Sequence, residues 1–209
     1  MPNLTIVIGT FKLTPLYFAL LLAFLFSSFS FWRQMIKENL AEEDIFSSSV
    51  LIFLAGISFE ILLSKLLGIK IAGAFLGIFL VSLWRFKIIG INVWEGLDSL
   101  ALPIIYFFFF GGLGEFLSKG DFRVLCYSLI ATIGWGILTY LKSRYRRFFW
   151  YKSGKTGFLF WSICFYFSSV LLVLDFYQTK RLYWSEVLWV ILIFASTGAI
   201  YRRAELNKK

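Results

Sequence analysis

Leu20-Leu21-Leu22-Ala23-Phe24-Leu25-Phe26 decides the fold class. A transmembrane barrel strand of about ten residues alternates apolar and polar side chains, because one face lines the lumen. Here both parities are apolar, and the same holds for Leu188-Trp-Val-Ile-Leu-Ile-Phe194. An α-helix that is apolar all round belongs inside lipid, where it satisfies its own backbone hydrogen bonds.

Working outward, the first run extends over Thr14–Trp32, close to the roughly 20 residues that cross about 30 Å of hydrocarbon. Six further runs read the same way: Ile45–Leu67, Ile69–Trp84, Asp98–Phe116, Val124–Leu141, Gly157–Phe176 and Trp184–Tyr201. The third is short and almost abuts the second, so a long helix followed by a re-entrant segment is an alternative, and the count lies between six and eight. The expectation is an all-α, polytopic membrane protein of about seven spans, forming a single domain over residues 1–209. Composition agrees. Hydrophobic residues make up 59% of the chain and charged residues 16%, against roughly a quarter charged in soluble domains. The mean hydropathy is +0.79.

Charge sets an orientation. With seven spans and the N-terminus outside, the inner loops hold Arg33, Lys37, Arg85, Lys87, six cations between Lys142 and Lys155, and four from Arg202 to Lys209. That makes fourteen, against seven outside: Lys12, Lys65, Lys70, Lys119, Arg123, Lys180 and Arg181. The two-to-one excess is what the positive-inside rule expects. The net charge of +9 is thereby explained by topology and anionic headgroups, and no nucleic-acid partner is implied. The aromatics around Lys142–Arg147, from Tyr145 to Tyr151, suit an interfacial belt.

Several chemistries drop out. A chain with no histidine has no imidazole base, no Ser-His-Asp arrangement and no histidine-ligated metal. Cys126 and Cys164 fall in predicted spans and read as reduced core residues. Gly111-Gly112-Leu113-Gly114 lacks the Lys-Ser/Thr ending of a phosphate loop. No cofactor and no metal are expected. The first span has neither a basic leader nor a suitable cleavage site, so it reads as a span and not as a removed signal peptide.

Polar residues inside apolar runs carry the remaining information, because ionisable groups in lipid are costly and default to functional hypotheses. Glu60, five residues before Lys65, reads either as half of a local ion pair or as a functional carboxylate. Asp98 reads as a cap near the start of its own span. Asp175 reads as interfacial, in reach of Lys180 or Arg181. The stretch Gly111-Gly112-Leu113-Gly114-Glu115-Phe116-Leu117-Ser118-Lys119-Gly120-Asp121 is the most unusual. Its glycines predict close helix approach or a break beside a cavity, and its polar residues then suggest a lipid-headgroup pocket.

These residues also carry a resemblance. Trp94-Glu95-Gly-Leu-Asp98, Ala101-Leu-Pro103 and Gly111-Gly-Leu-Gly114-Glu-Phe116 resemble prolipoprotein diacylglyceryl transferases. That family has a Trp…Asp…Ala-Pro approach and a signature reading Gly-Arg-(Ile/Leu)-Gly-Asn-Phe. Leu16-Tyr17, the small-residue segment Ala72–Gly77, Gly157-Phe-Leu-Phe160, Leu171–Tyr177 and Trp184–Trp189 are similar in order, so the likeness runs along nearly the whole chain. The family moves a diacylglyceryl group from phosphatidylglycerol to a prolipoprotein cysteine at the outer side of the bacterial plasma membrane, releasing glycerol phosphate. The resemblance therefore implies a phosphatidylglycerol-like lipid and a prolipoprotein signal peptide as partners. It places the family's signature arginine on Gly112, its asparagine on Glu115, a later arginine on Leu171, a glutamate on Asp175 and a second-span arginine on Ser58.

Exchanging an arginine for glycine removes a planar cation and its paired donors. The expectation is thus a diverged, phospholipid-binding member with transferase activity reduced or lost. Its candidate headgroup residues are Tyr17, Glu115, Lys119, Arg123 and Asp175. The alternatives are an active transferase whose cations have moved to Lys119, Arg123, Lys180 or Arg181, and a transporter or membrane-complex subunit. The last would need an internal repeat or paired intramembrane charges, and no repeat is visible.

Overall fold

The computed structural model describes residues 6–8, 11–38, 40–67, 71–148, 151, 155–179 and 184–204, without the side chains of 6–8, 11–13, 67, 123, 146, 178 and 179. It holds seven long helices: α1 (Pro15–Met35), α2 (Glu42–Leu67), α3 (Ile71–Ile88), α4 (Val93–Lys119), α5 (Phe122–Arg144), α6 (Phe158–Thr179) and α7 (Trp184–Arg203). All seven are long and apolar enough to span a membrane, so the chain is a multi-pass membrane protein. The re-entrant alternative for the second and third runs does not hold, since each is a full helix. A small antiparallel hairpin, β1 (Ile6–Ile8) and β2 (Phe11–Leu13), precedes α1 with Val7 opposite Lys12. Sequence reading did not anticipate it.

Successive helices run antiparallel, so the bundle has two ends. At the Lys119 end α1, α3, α5 and α7 begin; at the Arg33 end α2, α4 and α6 begin. Leu16 N–H donates to Ser118 Oγ (3.0 Å) at the first, and the Arg85–Asp44 ion pair (3.0 Å) joins α3 to α2 at the second. Arg85 also donates to Ser47 Oγ (2.7 Å) and Ser48 Oγ (3.0 Å), which leaves its partly buried guanidinium well satisfied.

Helix α4 is the hub, touching α1, α3, α5 and α6. Lipid tails are as apolar as leucine, so helices associate through close packing and interhelical hydrogen bonds instead of through expulsion of water. The α1 side chains sort accordingly. Small residues Ala19, Ala23 and Ser30 are buried, whereas Phe18, Leu25 and Phe29 are exposed. Over the first four turns large side chains point to lipid and small ones let the backbones meet, while Phe31 and Met35 are buried toward the Arg33 end. The facing surface of α4 repeats the rule: a Cβ on Gly114 would lie 2.3 Å from Ala19 Cβ, and one on Gly112 would lie 2.8 Å from Ser128 Oγ of α5. The expectation of close approach is met, and α4 continues unbroken through these glycines. It stops at Gly120, whose left-handed φ of 69° lets its N–H reach Phe116 O (2.7 Å).

Pro103 sits inside α4 and cannot donate to the carbonyl of residue 99, one turn earlier. In lipid an orphaned carbonyl is costly, and α1 supplies the missing donor: Gln34 Nε2 bonds Ser99 O (3.2 Å). Ser27 Oγ, two turns along, donates to Pro103 O (3.0 Å). The small face of α1 thus also repairs the proline site of α4.

Two sequence expectations are corrected here. Asp98 does not cap its own helix; Asn92 does, accepting from Trp94 N–H (3.1 Å). Asp98 lies inside α4 and instead takes N–H groups at the start of α6, Gly157 (2.7 Å) and Phe160 (2.9 Å). Glu60 is not paired with Lys65, which is exposed. Five residues turn a helix by about 500°, leaving the two side chains some 140° apart.

Candidate functional site

At the Lys119 end the helices part around a cavity of about 270 Å³. Gly111 opens it: a Cβ there would meet nothing within 4 Å. Ile104 and Phe108 from α4 and Phe75 from α3 form an apolar floor. Phe75 is held edge-on to Trp189 (centroids 5.9 Å) and against Phe108 (5.4 Å), and Phe108 stacks on Phe167 at 4.4 Å. The polar groups on the wall are Glu60 from α2, Glu115 from α4 and Tyr127 from α5. The site is amphipathic: two carboxylates and a phenol above hydrocarbon.

Glu115 is tied to Lys119 one turn on, at 2.5 Å, and the lysine is largely exposed. Tyr127 stands within electrostatic reach of both Glu115 and Asp175. Asp175 Oδ2 accepts from Trp189 Nε1 (2.9 Å), which fastens the finish of α6 to the start of α7. Glu186, 1% exposed, lies within electrostatic reach of Asp175 and accepts from Ser185 Oγ (3.1 Å).

Of the five residues singled out from sequence, Glu115 and Asp175 stand within electrostatic reach of Tyr127, and Lys119 is at the same end as the partner of Glu115. Tyr17 does not join them. It is 56% exposed and does not line the cavity, which α1 borders through Leu16 and Leu20. The side chain of Arg123 lies outside the described residues, as do Lys180 and Arg181, so the proposed pairing of Asp175 with either is not addressed. Among the described residues lining the cavity there is no Lys or Arg. Gly112 is wedged against α5 and Leu171 is 1% exposed in the core, so neither position has room for a guanidinium without repacking. Ser58 is exposed on α2.

Sequence reasoning missed Tyr127, because a tyrosine in an apolar run carries no local mark. Glu186 did carry one, being a lone carboxylate in Trp184-Ser-Glu-Val-Leu-Trp189. Both cysteines are free, as expected, with Cys164 buried. No known protein family, no curated protein and no solved structure matches this chain.

Proposed function

We propose that this protein is a diverged relative of the prolipoprotein diacylglyceryl transferases that binds a phosphatidylglycerol-like phospholipid in the Lys119-end cavity, with transfer reduced or lost. Its setting is a bacterial-type plasma membrane, with that end outside and the basic Arg33 end in the cytoplasm. The cavity's chemistry carries the reading. Carboxylates at Glu60 and Glu115 and the Tyr127 hydroxyl suit the hydroxyls of a glycerol headgroup, and the aromatic floor suits its acyl chains. Releasing glycerol phosphate calls for fixed donors or cations where negative charge develops. The described wall has no cation, and the nearby Lys119 is already neutralised by Glu115.

The test uses purified protein in phosphatidylglycerol nanodiscs with a lipobox peptide. Lipid retained through delipidation should fall when Gly111→Leu fills the cavity, and no diacylglyceryl-peptide should form. Transfer at a robust rate, abolished by Lys119→Ala or Arg123→Ala, would show active chemistry with relocated cations and overturn the proposal.

A further inference from the structure

A second opening lies at the Arg33 end, on the other side of the bundle from the cavity above. It occupies about 320 Å³ between α1, α4, α5 and α6, and its polar lining includes Gln34, Thr139, Lys142 and Asp98. Asp98 is committed to the backbone of Gly157 and Phe160. Lys142 is exposed at the mouth and stands within electrostatic reach of Arg33 and Lys37 on α1, both also exposed. Among the described residues, none of these three cations is in an ion pair. Lys142 lines the opening itself, and Arg33 and Lys37 are exposed beside it on α1, so the field at the mouth favours an anion.

The opening does not end in polar surface. Trp135 lines it and also lines a second hollow of about 320 Å³, apolar and nearer mid-membrane, formed by Phe26 of α1, Tyr106 and Phe110 of α4, and Thr132 of α5. Together they make one groove between α1 and α5 with α4 as its base. From Lys142 to Thr132 is ten residues of helix, about 15 Å, which is half of a hydrocarbon core of about 30 Å. The cationic mouth therefore sits at headgroup depth and the apolar part spans one leaflet.

We infer that this groove is a binding site for an anionic phospholipid of the adjacent leaflet, its phosphate held by Arg33, Lys37 and Lys142 and one acyl chain lying along α4 past Trp135 to Thr132. This inference is independent of the proposed function, since it concerns the opposite end of the bundle and other lining residues.

The experiment is native mass spectrometry of the full chain, titrated separately with phosphatidylglycerol, phosphatidylcholine and soluble glycerol 3-phosphate. Phosphatidylglycerol should bind at concentrations where the other two do not. Each basic residue near a membrane surface contributes enough that Lys142→Gln should weaken binding about fivefold, and the triple change with Arg33→Gln and Lys37→Gln about a hundredfold. Lys142→Arg should retain binding. Thr132→Trp, at an exposed position, should block the acyl groove and weaken it without altering helicity by circular dichroism. In a Gly111→Leu background, which fills the other cavity, the losses caused by Lys142→Gln and by the triple change should persist. Equal binding of the two lipids, binding of glycerol phosphate as tight as that of the lipid, or sensitivity to Gly111→Leu but not to Lys142→Gln would overturn the inference.

Discussion

Replacing Gln34 with Met keeps the length of the side chain and removes its donor, and the consequence depends on a residue of another helix. Ser99 O loses its partner from α1, and Pro103 offers no N–H to take over. Interhelical hydrogen bonds in membrane proteins average about 0.6 kcal/mol and reach about 1.7, and a buried orphaned carbonyl costs about 1–3 kcal/mol. The 3.2 Å bond is only partly buried, so Gln34→Met should destabilise by about 1 kcal/mol, roughly a fivefold change in the unfolded fraction. In a Pro103→Ala background the helix regains its own donor to Ser99 O. The same Gln34→Met change should then cost about 0.3 kcal/mol or less, giving a coupling of about 0.7 kcal/mol. Reversible unfolding in mixed micelles or steric trapping in bicelles, applied to the four members of the cycle, reads these differences directly. Equal costs of Gln34→Met in both backgrounds would refute the argument that α1 repairs the proline site.

Asp98→Ala should destabilise by about 1–2 kcal/mol in the same assay, because two N–H groups at the start of α6 lose a charged acceptor, and Asp98→Asn should fall between. Gly114→Leu should disrupt the α1–α4 contact and cost more than about 2 kcal/mol, whereas Gly111→Ala, pointing into open space, should be neutral or stabilising by up to about 1 kcal/mol in thermal melts. With Cys126 and Cys164 replaced, maleimide labelling of Asp121→Cys and Lys155→Cys should find them on opposite sides of the membrane; reaction from one side only would contradict seven spans.

Seven helices were legible because long apolar runs leave few alternatives in lipid, but their ends were less so. Helix α3 continues to Ile88 and α4 begins at Val93, beyond the runs ending at Trp84 and beginning at Asp98. Hydropathy marks the hydrocarbon layer, whereas a helix extends into the headgroup region wherever Arg85 or Asn92 finds a partner. The glycines at 111–114 correctly pointed to close packing and a cavity, since both follow from the missing Cβ. Their division of labour did not show, because Gly111 and Gly112 differ only in which side of α4 they occupy. Asp98 was read as a local cap because sequence displays neighbours along the chain, and its true partners lie 59 and 62 positions away. Pro103 does carry a physical mark in the sequence, a carbonyl one turn earlier in need of a donor, but the chain does not show that Gln34, 65 positions before Ser99, supplies it.

The pairing of α1 with α4 has a bearing on how the protein is made. α2–α3, α4–α5 and α6–α7 are neighbours in the chain and pack as hairpins, each able to leave the insertion machinery with its partner. Helix α1 packs only lightly on its neighbour α2: its main contact is synthesised three helices later. Until α4 emerges, Ser27, Ser30 and Gln34 must be shielded by the machinery, by water near the surface or by a temporary neighbour. The arrival of Pro103, with the Ser99 carbonyl it leaves without a donor, then selects α1 over any other helix, so the defect in one segment and the polar stripe in another act together as an address for late assembly.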